Sequence, residues 1–482
     1  MTPPGQDNKD GQKNRKPGLI NVINVIKNGF STQFPEDFSF RQGRASVIAI
    51  AWPALLESFL LHLASMVNTM MVGGLGTWAI ASIGYCNQPR LLIASVFQAF
   101  NTGCTALIAR AKGAQNPVEA NSIIHQAILF SMIASVVLAA LGYMFATPMV
   151  VFMGASEEAT ILGSTQYLRI IMLTFPANAF SLSVTAALRG IGITRVAMIY
   201  NVTANIINVA IGFLLINGRF GFPALGVRGA AIGLGSGQVA AMLIAFAAIR
   251  RGADMIRFSF RDLLKADISI FRRIIKIGTP AMFEQLFMRG GNIMFARIVA
   301  SLGTVAFATH QIVMNIHQTT FMNGQAFGIS ATSLLGQSLG RERPDQGRAS
   351  VQLCRRYALF ISLSFALVLA VFGRQLVSLY TDDAGVIAMG SMLLMIVAVI
   401  QPFQSSQQVL AGALRGAGDT KAVAICIFIG IVVIRPTVSA LLVYGAGIGL
   451  MGVWLALVLD QGTRSFYTML RFLSDKWKTI KV

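Results

Sequence analysis

The sequence predicts an all-α integral membrane protein, with twelve transmembrane helices in two six-helix repeat lobes around a central cavity. Three observations carry the prediction. The 482 residues are 55% hydrophobic and only 12% charged, far more apolar than a soluble domain. Twelve segments approach the roughly 20 mostly apolar residues that cross a bilayer as a helix, starting near positions 46, 81, 122, 161, 193, 229, 274, 305, 350, 386, 421 and 450. These segments fall into two sets of six that match each other at a near-constant spacing.

Residues 1–44 begin with MTPPGQDNKDGQKNRKPG, which is polar and lacks the apolar core of a signal peptide. They are expected to form a disordered cytoplasmic tail. Within it, LINVINVIKNGF has apolar residues at helical spacing and suits either a surface helix or a short apolar linker. The first six-helix lobe is expected over 45–250, a cytoplasmic linker over 251–271, the second lobe over 272–473 and a C-terminal tail over 474–482. The linker lies in the basic stretch RRGADMIRFSFRDLLKADISIFRRIIK, from Arg250 to Lys276.

The net charge of +20 would suit nucleic acid, but the basic residues sit in tails and short connections, not on one soluble face. No nucleic-acid partner is expected. Every second connection is basic: Arg110 and Lys112, Arg189 and Arg195, Arg250 to Lys276, Arg341 to Arg356, Arg415 and Lys421. The others, such as MGASEEA and YTDDAG, are not. The positive-inside rule therefore predicts a multi-pass protein of the cell membrane with both termini cytoplasmic. Cys86, Cys104, Cys354 and Cys426 fall in or beside spans at no metal-ligand spacing. They read as inert thiols, and no metal or cofactor is expected.

The repeat is clearest where the spans carry unusual residues. Pro53 and Glu57 in WPALLESF recur as Pro280 and Glu284 in TPAMFEQL, since 280 − 53 and 284 − 57 both give 227. At the same spacing LGT at 75–77 matches 302–304, QAF at 98–100 matches 325–327, and Gly113 and Pro117 match Gly340 and Pro344. The offset then slips by one, so ALRGIGIT at 187–194 matches ALRGAGDT at 413–420. Shared apolar bias cannot align loop glycines, prolines and arginines in this way. Transporters built from repeats place substrate at the repeat interface and alternate access by rocking one bundle against the other.

These motifs resemble the multidrug and toxic compound extrusion (MATE) family over nearly everything from Gly43 to Phe472. The resemblance is carried by VNTMMVGGLGTWAIASIG, SLGTVAFATHQI, LLGQSLG, LRGAGDT and PALGVRGAAIG together with the duplication. It implies a two-lobed efflux transporter that exchanges sodium ions or protons for organic, often cationic, compounds. Many prokaryotic members carry a first-helix aspartate for cation binding, and the matching position is Asn68. The fifth-helix polar positions match Asn208 and Gly212, and a seventh-helix glutamate found in some members matches Met288. Asn208 keeps the family pattern; both aspartates are absent.

A charged acid at the centre of a span costs about 2.5–3.5 kcal/mol on insertion scales, so such residues are functional candidates by default. Glu57 and Glu284 are the first candidates for cation coupling, with Asn68 and Asn208 as neutral participants. Burial disfavours a carboxylate's charged form, which suits proton exchange. The competing reading ties each glutamate to a neighbouring helix through amides, hydroxyls or a buried arginine. Pro53 and Pro280 cannot donate to the carbonyls of Ala49 and Lys276, which makes them hinge candidates.

Substrate-cavity candidates are His62, Arg289, Asn178 and the stretch HQIVMNIHQTTFMNGQAF, with Gln311 and with His310, Met314 and His317 on one helical face. Arg289 also suits a structural ion pair with Glu284. The histidines suit either proton relay or ordinary packing.

The resulting expectation is an antiporter, not an enzyme. It would export cationic or zwitterionic organic compounds in exchange for protons, the preferred ion, or sodium, and would act as a monomer in the lipid bilayer. A lipid or glycolipid flippase of the same broad superfamily is the near alternative. An integral-membrane transferase is the distant one, since the paired acids Asp382 and Asp383 lie in a short loop without metal-ligand company.

Overall fold

A computed structural model describes residues 34–480 apart from 253 and 264–266. The apolar stretch at 19–30 and most of the expected tail lie outside the described residues. Among the described residues twelve long helices cross the molecule. In the N-terminal lobe they are α1 (Phe40–Gly73), α2 (Thr77–Gly113), α3 (Pro117–Met144), α4 (Glu158–Ile191), α5 (Thr194–Ile216) and α6 (Val227–Arg251). In the C-terminal lobe they are α7 (Ile268–Ala300), α8 (Thr304–Gly340), α9 (Pro344–Ser378), α10 (Ala384–Gly416), α11 (Thr420–Gly445) and α12 (Leu450–Leu473).

Local chemistry sets the helix ends. Ser39 caps α1 by accepting from the Gln42 amide, which starts the helix inside the segment expected as tail. Asn116 and Asp383 cap α3 and α10 in the same way, and Pro117 and Pro344 open α3 and α9, where a missing N–H costs nothing. Gly76 and Gly303, in the two LGT motifs, precede α2 and α8 with φ of 107° and 95°, a region that favours glycine.

Nine of these helices are long and apolar enough to cross a membrane on composition alone among the described residues. The other three, α7, α8 and α12, carry the glutamate, arginines, amides, histidines and aspartate of the C-terminal interior. The duplication extends to the helix ends: α2 and α8 both begin and end 227 residues apart. The one-residue slip at 413–420 is taken up by a wide π turn in α11, Phe428–Ile434, since such a turn inserts one residue.

The lobes meet along the halves of α1, α2, α7 and α8 nearest the basic connections. Gly103 packs on Ile274, Gly278 on Ala99, and Gly113 and Gly340 lie against each other. Ser333 Oγ and Gln337 Nε2 of α8 both donate to the Gly190 carbonyl at 3.1 Å. Val47 and Ala51 of α1 pack with Phe327, Ala331 and Leu335 of α8. Toward the opposite face α8 exposes Gln311, Asn315 and Gln318, at i, i+4 and i+7 on one helical face. Asn315 turns its amide back onto the Gln311 carbonyl, but the carboxamides of Gln311 and Gln318 have no partner among the described residues and would be unsatisfied in lipid, so this stripe faces a water-filled cleft between the lobes on that side.

Candidate functional site

Each lobe holds a carboxylate against a guanidinium at the same place in the repeat. Glu57 Oε1 on α1 accepts from Arg189 Nη2 of α4 at 3.0 Å and from Asn201 Nδ2 of α5 at 2.8 Å. Glu284 on α7 accepts from Nε of Arg415 on α10 at 3.3 Å, and from its Nη2. The arginines come from the two ALRG motifs. Glu57 and Glu284 are 2% and 1% exposed. Arg415 holds both oxygens of Glu284, whereas Glu57 Oε2 is buried with no partner among the described residues. Pro53 and Pro280 stand one turn before the acids, inside helices that continue through them.

A cavity of about 400 Å³ occupies the N-terminal lobe in the half away from the basic face. Asn68 of α1, Asn87 and Arg90 of α2, Tyr167 of α4, and Asn205 and Asn208 of α5 line it, and no carboxylate does. Gly212, one turn beyond Asn208, leaves room there: a Cβ added to it would stand 3.8 Å from Asn68 Oδ1.

The corresponding space in the C-terminal lobe is filled. At the 227-residue spacing Asn68, Arg90 and Asn208 correspond to Phe295, His317 and Arg435. Gly226 and Gly449, with the same unusual φ of 55° and 63°, set the register of α6 against α12. That register places Trp454 opposite Ala231, since 454 − 231 and 449 − 226 are both 223. Fully buried Trp454 packs against His310 and His317 at ring distances of 5.5 and 6.3 Å. Where the first lobe has alanine, the second has a buried indole packed on two histidines.

Beneath it, Asp460 of α12 binds two arginines. Arg435 donates from Nε and Nη2 at 3.0 and 2.5 Å, and Arg464 from Nε and Nη2 at 2.7 and 2.9 Å. Arg435 also reaches Asn292 Oδ1 at 3.0 Å and stacks over Phe295. Asp460 is 0% exposed and each arginine 5%. Gly430 gives this triad room, since a Cβ there would strike Asp460 and Arg464.

The remaining expected site residues divide between the lobes. His310 and His317 turn into the C-terminal interior against Trp454, away from the cleft, while Gln311 on the other side of α8 faces it. Met314 is half-buried beside the aromatic core. Arg289 is half-buried and does not pair with Glu284, which Arg415 occupies. His62 and Asn178 are half-buried on α1 and α4, outside the cavity lining. Sequence reasoning passed over Arg90 and the Arg435–Asp460–Arg464 triad. The signal was present in QPRLLIAS and LALVLDQGTRSF, where charges interrupt apolar runs.

An internally duplicated, two-lobed helical bundle with a polar cavity inside one lobe and a cleft between the two defines a multi-pass membrane transporter. The MatE family model matches residues 53–214 and again 280–441, each match starting at one of the paired prolines. The chain belongs to the MatE family of transporters. It is 28% identical to the probable multidrug resistance protein NorM of Thermotoga maritima over 90% of this chain and 93% of that one. It is 26% identical to the uncharacterized transporter YisQ of Bacillus subtilis over 90% and 94%. Its fold superposes with a TM-score of 0.83 on a multidrug resistance MATE transporter of the MOP superfamily solved in an outward-facing conformation. That pair is 19% identical and covers 90% of this chain and 97% of the other.

Proposed function

We propose that the protein exports small organic compounds, zwitterions among them, by alternating access in exchange for protons, with sodium as the second candidate ion. The basic face is then cytoplasmic, as the positive-inside rule requires, and the cleft opens to the outside of the cell membrane. The observation that carries this reading is the placement of the seam. Small residues close the lobes along the basic half, while the cavity and the exposed amides of α8 lie toward the other face. Similarity to a relative named for multidrug resistance supports organic substrates.

Glu57 is the coupling group in this reading. Its Oε2 is a buried oxygen without a partner among the described residues, and a proton there neutralises the carboxylate and weakens the hold of Arg189. α1 is bound to its own lobe through Glu57 and to the other lobe through Val47 and Ala51. Loosening the first contact therefore acts on the helix that closes the seam. Glu284, held on both oxygens, fixes α7 to α10. Transport by the purified protein in liposomes, with proton and sodium gradients imposed separately, tests the assignment. Flux that ignores the proton gradient removes it.

A further inference from the structure

Four guanidinium groups inside the bundle are matched by carboxylates. Arg189 has Glu57, Arg415 has Glu284, and Arg435 and Arg464 share Asp460. Arg90, half-buried in the wall of the cavity, has no such carboxylate among the described residues. Its one hydrogen bond is from Nη2 to Asn87 Oδ1 at 3.2 Å, its buried Nε has no partner, and no carboxylate pairs with it among the described residues. An arginine inside a span without a counter-ion is functional by default.

The surroundings repeat that imbalance. Asn208 lines the same cavity, is 4% exposed, and its side chain makes no hydrogen bond among the described residues. The carboxylate on α1, Glu57, stands eleven residues before Asn68, about 16 Å toward the other face, and is held by Arg189. The cavity therefore carries one positive charge and a set of amides and a phenol, with no negative charge to admit a cation. Its volume of about 400 Å³ matches a small organic molecule and far exceeds a bare ion.

We propose that this cavity is the substrate site of the exporter and recognises a small organic molecule through an anionic group, a carboxylate, sulfonate or phosphate, bound to Arg90. Asn68, Asn87, Asn205, Asn208 and Tyr167 supply neutral partners for the rest of the ligand. The guanidinium fork suits such oxyanions because it donates two parallel hydrogen bonds. The substrate is then an anion or a zwitterion. This assignment rests on the export reading, but binding can be measured without it.

The test uses the purified full-length protein in lipid nanodiscs with two probes of similar size, carboxyfluorescein and a cationic rhodamine, and reads binding by fluorescence anisotropy. Carboxyfluorescein is expected to bind the unaltered protein, and Arg90→Gln to weaken it by at least about tenfold, the loss of one charge-assisted hydrogen bond. Arg90→Lys should restore part of that loss. Asn87→Asp, which supplies the missing carboxylate while keeping the arginine, should also reject carboxyfluorescein and admit the rhodamine. Equal carboxyfluorescein affinity in all four proteins, or a preference of the unaltered protein for the rhodamine, overturns the proposal. Binding that depends on Arg90 without dye export in liposomes removes the export reading and leaves the anion site. Export with binding indifferent to Arg90 does the reverse.

Discussion

The glycine pair at the seam makes the alternating-access account open to direct test. Gly113 ends α2 and Gly340 ends α8, and they occupy equivalent places in the two repeats. A Cβ built on Gly113 lies 2.7 Å from the Gln337 carbonyl carbon, and one on Gly340 lies 2.8 Å from the Ala114 nitrogen, where ordinary contact begins at 3.4 Å. The obstructing atoms are backbone, and the Gln337 and Arg110 carbonyl oxygens stand closer still, so the lobes must part to admit either methyl group. Forcing a methyl into a packed contact costs about 1–3 kcal/mol. The cost falls on the closed seam alone, because the methyl meets no such obstacle once the lobes separate there. Gly113→Ala or Gly340→Ala should therefore shift the equilibrium toward states open at the basic face by about 5- to 150-fold. Gln311→Cys, exposed in the cleft while the native cysteines are buried, reports the shift. An impermeant maleimide applied from the cleft side should label it more slowly when either alanine is present. Unchanged labelling, with the folded protein recovered in normal yield, would refute the argument that this seam holds the cleft open.

Three further outcomes follow from the charged groups. Glu57→Gln should retain membrane expression and lose pH-dependent efflux, whereas Glu284→Gln should chiefly lower thermal stability, by about 3 kcal/mol if the loss approaches that of a buried pair; dye efflux across a pH series and a melting curve separate the two. Asp460→Asn removes the shared partner of two buried guanidiniums and should cost about 3–5 kcal/mol, seen as a large fall in Tm; an unchanged Tm would contradict the triad's structural role. At the basic face, hydrogen bonds from the Arg343 guanidinium hold Asp37 and Asp345 below the usual carboxylate range. Carboxylates with lowered values stabilise the fold above their ordinary range, and that contribution disappears as pH falls through the lowered value. The tether between the segment before α1 and the α8–α9 turn should thus be constant from pH 8 to about 5 and loosen below about pH 4, as followed by limited proteolysis near residue 37.

Much of the architecture was legible because the bilayer restricts the choices. Apolar length marks spans, basic connections mark one face, and a duplicated Pro-x-x-x-Glu marks the first helix of each repeat. The glutamates were visible for the same reason, being costly where they stand. Their partners were not, because Arg189 and Arg415 lie near the ends of spans, where arginine is common and attracts no notice. The histidines of α8 were assigned to a face correctly by spacing, but helical periodicity does not say which face a lobe turns inward. Trp454 decides that, and it comes from a helix more than a hundred residues away. Arg90 and Asp460 were missed although each interrupts an apolar run. The repeat drew attention to residues present in both halves, while these two exist in one half only. The cavity lined by Arg90 and the triad built on Asp460 each belong to one lobe, so the duplication points to neither.

Proton coupling through Glu57 is tested by substrate flux in proteoliposomes of uniform orientation, with a proton gradient or a sodium gradient imposed alone. The unaltered protein should show flux driven by the proton gradient, and Glu57→Gln none beyond leak. Equal flux in the two proteins, or flux driven by sodium alone, would contradict that coupling.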